Sequence, residues 1–511
     1  MPMGGAVARL SMLALGAVAS GAFVVLLFPP WNAVWLAPLA LLPALALLAR
    51  TRTVIGGALM GSLFGLGYVL GYGEWVYASV HEGFGLRHML SALVLVAAAA
   101  LAAWPFAVFG AGAVALRRGR LPRALAPAIA WVAAEWCRVQ SPEPLPWLRL
   151  GDALHDQPIL LQPAELGGVA LLSFLLALVN GLLFEAIRRG RAEARRPLAV
   201  ALLIALLWFG GGAWRLAQWP EDGGGLRVAL VHAAAPRVLH FDRETTERSL
   251  ALHLDLTAQA VGQGAELVVW SESALDFLPE ELPQDLDDRI AAALGFDPER
   301  RLLLGMHLRE EGGLANGASL RDGSGREQAR HAKHLLVPIV ESIPGWLEEL
   351  PRFRHRLKRF AAAQSYVAGR GARPLPAGEA RLGVLICYET LLPRLARAAV
   401  AQGANLLVNP TNDAFFPDRG AEQHQVMAVM RTVELRRPLV RVANQGMSLV
   451  VDAGGRVRTR VALDERGVTL ATVQPVQVTT PYVRGGHLWD EASWLLFALG
   501  CVPRRRSEAG L

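Results

Sequence analysis

VLICYETLLP, residues 384–393, passes from an apolar strand to reactive chemistry within four positions. Val384, Leu385 and Ile386 read as the end of a buried strand, and Cys387, Tyr388 and Glu389 follow with a thiol, a phenol and a carboxylate. A run that is apolar at nearly every position suits a strand covered on both faces, as in layered α/β domains. Similar runs recur as LRVALVH (226–232), AELVVWS (265–271), RLLLGMH (301–307), GASLRD (317–322) and RLGVLIC (381–387). ANLLVNP (404–410), PLVRVANQ (438–445), MSLVVD (447–452) and TLATVQ (469–474) continue the series. Amphipathic stretches at 243–263 and 421–436 predict helices, the second with Arg431, Glu434 and Arg436 on a polar face. An α/β domain with helices covering its sheets follows.

The rest of the chain is of another kind. Of 511 residues 53% are hydrophobic, too many for an ordinary soluble protein, and the excess lies between 10 and 215. Eight windows are long enough to cross a bilayer: 9–28, 31–49, 53–71, 88–114, 122–138, 161–187, 197–215 and 486–502. With the N-terminus inside, the connections that return to the cytoplasm carry Arg50 and Arg52, then Arg117, Arg118, Arg120 and Arg123. Arg188, Arg189, Arg191, Arg195 and Arg196 follow, and Arg504, Arg505 and Arg506 close the series. The opposite connections offer only Arg87, Arg138 and Arg149, so the positive-inside rule places the domain between crossings seven and eight on the outer face. The expected division is seven transmembrane helices in 1–220, a catalytic domain in 221–480, and a last helix with a basic cytoplasmic tail in 481–511. A competing reading of the first span is a cleaved signal peptide, with Ala17-Val18-Ala19 as the small-residue site. Aromatic and polar residues at 74–81 and 147–155 read as interface anchors, or as loops shaping an entry for a lipid head group.

The net charge of +7 does not indicate nucleic acid, because the arginines sit in short clusters between apolar spans. Cys137 and Cys501 lie in or beside those spans, which leaves Cys387 alone in the α/β part and excludes a disulfide framework there. His331 and His334 lack the partner set of a metal site, and no glycine fingerprint for a nucleotide cofactor occupies a strand-to-helix turn. Neither metal nor cofactor is expected.

Active sites of α/β domains collect at strand ends. ELVVWSES ends on Glu272, HAKHLLVPIVESIP carries Lys333, and VLICYET ends on Cys387. Lys333 is one of two lysines among 51 basic residues, the other being Lys358, in a chain that uses arginine nearly everywhere. A compact point charge differs from a planar fork. Cys387 has two readings: inert core, as for many buried cysteines, or a nucleophile served by a converging carboxylate and cation. Spacing alone leaves both open.

Glu, Lys and Cys in this order at these strand ends resemble the nitrilase superfamily of carbon–nitrogen hydrolases. With several crossings before the domain and one after it, the whole chain resembles the apolipoprotein N-acyltransferase family. KHLLVPIVESIP (333–344), ICYE, NPTNDAFF (409–416), the segment 423–446 and Asn316 in LANGASL carry the likeness. The resemblance implies a membrane-embedded nitrilase-like α-β-β-α sandwich and a ping-pong reaction. Cys387 would take an acyl chain from a phospholipid as a thioester, and the N-terminal amine of a diacylglyceryl-cysteine apolipoprotein would accept it. Glu272 is then the general base, Lys333 the electrostatic stabiliser and Glu341 an orienting carboxylate. The Tyr388 amide joins Lys333 at the oxyanion, Glu389 and Asn316 support the site, and the enzyme works as a monomer in the bacterial inner membrane.

Departures from the family pattern are Ser271 in Trp270-Ser271-Glu272, the continuation HAAAPRVLHFD of the first strand, Ser342 after Glu341, and an arginine-rich 346–374. They keep two alternatives in view: a membrane-tethered amidase that hydrolyses a small substrate, and a non-catalytic scaffold with a decayed domain.

Overall fold

The computed structural model describes residues 3–501 apart from 84, 120, 142–143, 220–223, 235–242, 339, 343–365, 372, 417–418 and 464. The continuation of the first strand past Ala234, residues 346–365 and 372 of the arginine-rich segment 346–374, Lys358 and the basic tail lie outside the described residues. Two compact units emerge, one of residues 1–81, 86–218 and 484–511, the other of 82–85 and 219–483.

The first unit is helical. Ala8–Val25, Val54–Tyr72, His88–Leu116, Ala164–Glu193 and Arg195–Ala217 are long and apolar enough to cross a membrane. They coincide with five of the eight expected windows. The window 31–49 holds only a 3-10 turn at Val34–Leu36 and a nine-residue helix at Leu42–Arg50, with Pro43 in its first turn. The window 122–138 is a 16-residue helix, Leu125–Gln140, that the unit buries almost entirely. At 486–502 the helix Pro481–Gly500 kinks at Gly485, and among the described residues it contains a ten-residue apolar stretch, Glu491–Gly500. Hydropathy does not separate a helix facing lipid from one facing other helices, which is why the windows outnumber these helices.

Helix Leu125–Gln140 is the polar pin of this unit. Its buried Glu135 accepts hydrogen bonds from Trp131 Nε1 at 2.7 Å, the Leu150 amide at 2.8 Å and Ser173 Oγ at 3.0 Å. All three donors fall on Oε1 and offset part of the cost of burying the group, while Oε2 is buried without a hydrogen-bond partner. The stretch 147–155 is part of the same interior: Trp147, Asp152 and His155 are all buried, so the reading of that stretch as an interface anchor is corrected. Elsewhere the helices touch through glycine. A Cβ on Gly61 would lie 2.0 Å from the Phe106 carbonyl oxygen, so helices Val54–Tyr72 and Trp104–Leu116 meet backbone to backbone.

Among the described residues the second unit is built on twelve strands in two six-stranded sheets. They are β1 Leu226–His232, β2 Leu267–Val269, β3 Arg301–Glu310, β4 Gly313–Asp322, β5 Glu327–Ala332 and β6 Leu375–Ala377. β7 Ala380–Val384, β8 Leu406–Asn412, β9 Leu439–Asn444, β10 Ser448–Val451, β11 Val457–Val461 and β12 Gly467–Val473 complete the set. One sheet has the order β12-β1-β2-β3-β4-β5 and the other β11-β10-β9-β8-β7-β6. Each has a parallel centre, β1-β2-β3 and β7-β8-β9, flanked by antiparallel strands. β1 lies against β9, and Ser448 Oγ on β10 meets His232 Nδ1 on β1 at 3.0 Å. Helices Arg243–Gly262 and Leu286–Ala293 pack with the first sheet, Pro393–Ala401 and Arg419–Leu435 with the second.

One expectation fails inside helix Arg419–Leu435. Arg431 and Glu434 are no more than 1% exposed, and the expected polar face is buried. Arg431 Nε stands 2.9 Å from Glu434 Oε2, so the two charges satisfy each other one turn apart. Arg436, just beyond the helix, is buried too, over the Trp219 ring and donating to the Ala453 carbonyl. A charged helix stripe passes for a wet face in sequence when its partners lie on the same stripe.

Candidate active site

The parallel strands end on the reactive residues. β2 stops at Val269 and the chain reaches Glu272 three residues later. β7 stops at Val384 and reaches Cys387 by the same count. Lys333 follows β5 directly.

The Lys333 ammonium is the hub. Nζ donates to Glu272 Oε1 at 3.0 Å and to Glu341 Oε1 at 2.9 Å, with the side chain 1% exposed. Asn316 on β4 repeats the bridge, its Nδ2 donating to Glu272 Oε1 at 2.7 Å and Glu341 Oε1 at 2.8 Å. The second oxygens are held separately: Glu272 Oε2 takes the Asn412 amide at the end of β8 at 2.8 Å, and Glu341 Oε2 takes the Val337 amide at 2.8 Å. Glu272 is therefore fixed by groups from both sheets.

Cys387 has φ of 49°, in the left-handed region that a residue with a Cβ seldom occupies, and opens a 3-10 turn through Leu391. Glu389 pins that turn. Oε2 accepts the Ile386 amide at 2.8 Å, while Oε1 accepts the amides of His334 at 2.7 Å and Leu335 at 3.1 Å. One carboxylate thus ties the cysteine turn to the loop that carries Lys333. Burial alone would raise Glu389, but the adjacent His331, 3.6 Å from Oε2, and the Ile386 amide hold it below the usual carboxylate range. Tyr388 is buried within the same turn.

The electrostatics define what the group can do. Burial pushes the Cys387 thiol well above its ordinary value, and the Glu272 charge adds to this while Lys333 opposes it. The thiol is protonated at rest. Burial together with the charge of Glu341 raises Glu272 against the pull of Lys333. Lys333 is raised in turn, because Glu272, Glu341 and Cys387 outweigh its burial, and it stays an ammonium. A neutral thiol within the electrostatic reach of a carboxylate of elevated basicity and of a fixed cation can be deprotonated in step with an attack and does not favour a standing thiolate.

The remaining partners went unassigned in the sequence. Asp413, following β8, accepts from Arg441 Nη2 at 2.7 Å through Oδ2 and meets His424 Nδ1 at 2.8 Å through Oδ1. Arg441 also donates to Asn409 Oδ1 at 2.5 Å, and Asn409 Nδ2 reaches the Cys387 carbonyl at 3.4 Å. The network props the cysteine turn from behind. Cys387, Asp413 and His424 place their donor atoms within 4.8 Å of one another, a spacing that would suit a metal ion. The Arg441 guanidinium, 3.2 Å from His424 Nδ1 as well as bonded to Asp413, supplies a fixed cation at that point and disfavours a second. The signal available in sequence was the polar run Asn409-Pro410-Thr411-Asn412-Asp413 ending an apolar strand. His331 Nε2 stands 3.6 Å from Glu389 Oε2 without a hydrogen bond, and His334 uses its backbone amide on Glu389 and its Nδ1 on the Gly369 carbonyl at 2.9 Å.

Both halves of the chain match known families. Residues 20–182 match the apolipoprotein N-acyltransferase N-terminal domain, and residues 227–480 match carbon-nitrogen hydrolase. An apolipoprotein N-acyltransferase of Geobacter metallireducens is 31% identical over 97% of this chain and 94% of its own length. That of Azotobacter vinelandii is 33% identical over 96% and 95%. Among solved structures, a nitrilase-superfamily amidase from Nesterenkonia covers 53% of this chain and 98% of its own at 21% identity, with a TM-score of 0.39. Relatives that run from the first helices to the last strands, over a buried Glu–Lys–Cys arrangement of this kind, place the chain in the apolipoprotein N-acyltransferase family.

Proposed function

We propose that the chain transfers an acyl group from a phospholipid to the N-terminal amine of a diacylglyceryl-cysteine apolipoprotein, through a thioester on Cys387. The observation that carries this reading is the Lys333 ammonium bridging Glu272 and Glu341 at the strand ends that also carry Cys387. In the first half-reaction Sγ attacks the ester carbonyl carbon as Glu272 takes the thiol proton. The oxyanion is met by Lys333 and the Tyr388 amide. The C–O bond then breaks, and Glu272 returns its proton to the departing glycerol oxygen of the lysophospholipid. In the second, the α-amine attacks the thioester carbon, Glu272 accepts the amine proton, and sulfur leaves and is reprotonated. Glu341 and Asn316 hold Lys333 and Glu272 in register throughout, and Glu389 holds the cysteine turn.

Both substrates are lipids, so the reaction belongs at a membrane surface. The eight-crossing topology, with both termini cytoplasmic and residues 221–480 on the periplasmic face as a monomer, is part of the proposal. The five apolar helices and the distribution of arginines support it. Hydrolysis of a small substrate by a tethered amidase is not favoured, because the relatives match the helical half as well as the hydrolase half.

The test is mass spectrometry of the purified chain after incubation with phosphatidylethanolamine. One acyl adduct, mapped to Cys387 and released by neutral hydroxylamine, is expected. A folded protein that gains no adduct, or carries it elsewhere, would end the proposal. The rate of adduct formation should also depend on pH through Glu272. The base acts only when ionised and its pKa is raised from 4.5, so the acid limb of the profile should fall above pH 4.5. A limb at or below the ordinary glutamate value, or one unchanged in Glu272→Gln, would remove Glu272 from that role.

A further inference from the structure

The helical unit contains a pocket of about 220 Å³. Arg117 and Arg118 reach it from the end of helix Trp104–Leu116, Arg123 from the following turn, and Glu185 and Arg188 from the last turns of helix Ala164–Glu193. Its other wall is apolar, formed by Leu45, Leu48, Ala113 and Phe184. Among the described residues Glu185 is the only carboxylate lining it, and it is shared by Arg188 at 3.6 Å and Arg189 at 3.3 Å. Arg117 is held in place by donating to the backbone carbonyls of Leu48 and Thr51, which fix its position. Burial, with the like charges of Arg118, Arg188 and Arg123, pushes Arg117 below the usual guanidinium range. Four guanidinium groups against one carboxylate leave the space with a net positive charge that a second anion would offset.

We infer that this pocket binds the head group of one anionic phospholipid. The guanidinium forks match phosphate oxygens in pairs, and the Leu45, Leu48 and Phe184 wall takes the glyceryl and first acyl carbons. Free phosphate would satisfy the charge but leave the apolar wall unused. None of the lining residues belongs to the unit that carries Cys387, so the site is separate from the acyl-transfer chemistry.

Native mass spectrometry of the full-length protein in detergent, with equal amounts of phosphatidylglycerol and phosphatidylcholine of identical acyl chains, tests this. One phosphatidylglycerol should be retained in preference. Each basic side chain at a lipid head group is worth roughly five-fold in affinity. Arg123→Gln combined with Arg188→Gln leaves the Arg117 anchor intact and should cut the preference by on the order of twenty-fold. The same variant should form the Cys387 adduct at the wild-type rate, which certifies its fold. Equal retention of the two lipids by the wild type would overturn the inference, whatever the variant does. So would an undiminished preference in the folded variant. Displacement of the retained lipid by an equal concentration of inorganic phosphate would assign the pocket to a free anion and overturn it as well.

Discussion

Changing Cys387 to alanine should abolish acyl transfer, lowering turnover by on the order of 10⁵-fold or more, as loss of a covalent nucleophile does elsewhere. Serine should not rescue it. The local arrangement asks Glu272 to remove a proton from a buried group whose acidity is already suppressed, and a hydroxyl is a weaker acid than a thiol. Stability should move little, by about 1 kcal/mol, because the turn is held through backbone amides on Glu389 and not through sulfur. The informative experiment pairs a melting curve with the transfer assay on the same preparation. A folded alanine variant that still turns over within ten-fold of the parent would show that sulfur is not the acyl carrier.

Lys333→Met should be damaging in a different way. It removes the cation between Glu272 and Glu341, leaving two buried carboxylates that share only the Asn316 amide. Breaking a buried pair by deleting one partner costs about 3–5 kcal/mol. The pH dependence has a definite sign. Without Lys333, Glu272 loses the cation that opposes its burial and its folded pKa rises further, so the variant keeps relative stability below the ordinary glutamate value and loses it as pH rises through the elevated one. The gap in melting temperature between parent and variant should therefore be wide at pH 8 and narrow toward pH 5. Arginine at 333 should not restore the parent behaviour, since a planar fork does not fit where one nitrogen bonds two oxygens in a site 1% exposed. A gap independent of pH, or full rescue by arginine, would contradict the shared-ammonium account.

The strands most visible in sequence are the ones buried on both faces. LRVALVH is β1 residue for residue, and the strands carrying Glu272 and Cys387 follow the same rule. β5 and β11 escaped notice because they alternate: EQARHA and VRTRV expose every second residue or more and lack a continuous apolar run. β6 has only three residues, one of them proline. In the helical unit the windows were legible but not their surroundings. Arg138, counted in sequence among the connections opposite the cytoplasm, sits with Glu135 inside the unit. At the site, Glu272, Lys333 and Cys387 announced themselves by ending apolar runs. Asp413, His424 and Arg441 did not, because each looks ordinary alone and their mutual bonds cross 28 residues of chain or fewer in three separate elements.

The Glu272–Lys333–Glu341 bridge also sets how the site stands toward water. Two carboxylates and one ammonium sum to a single negative charge, and moving the thiol proton onto Glu272 relocates that charge without changing it. The leaving oxygen takes the proton back, and the amine supplies another of the same kind for the second round. At no stage must a proton or counter-ion be drawn from the bulk. Groups sealed to between 1% and 7% exposure can therefore cycle beside lipid while remaining dry, and water, the competing acceptor that would waste the thioester, need never be admitted for the chemistry to proceed.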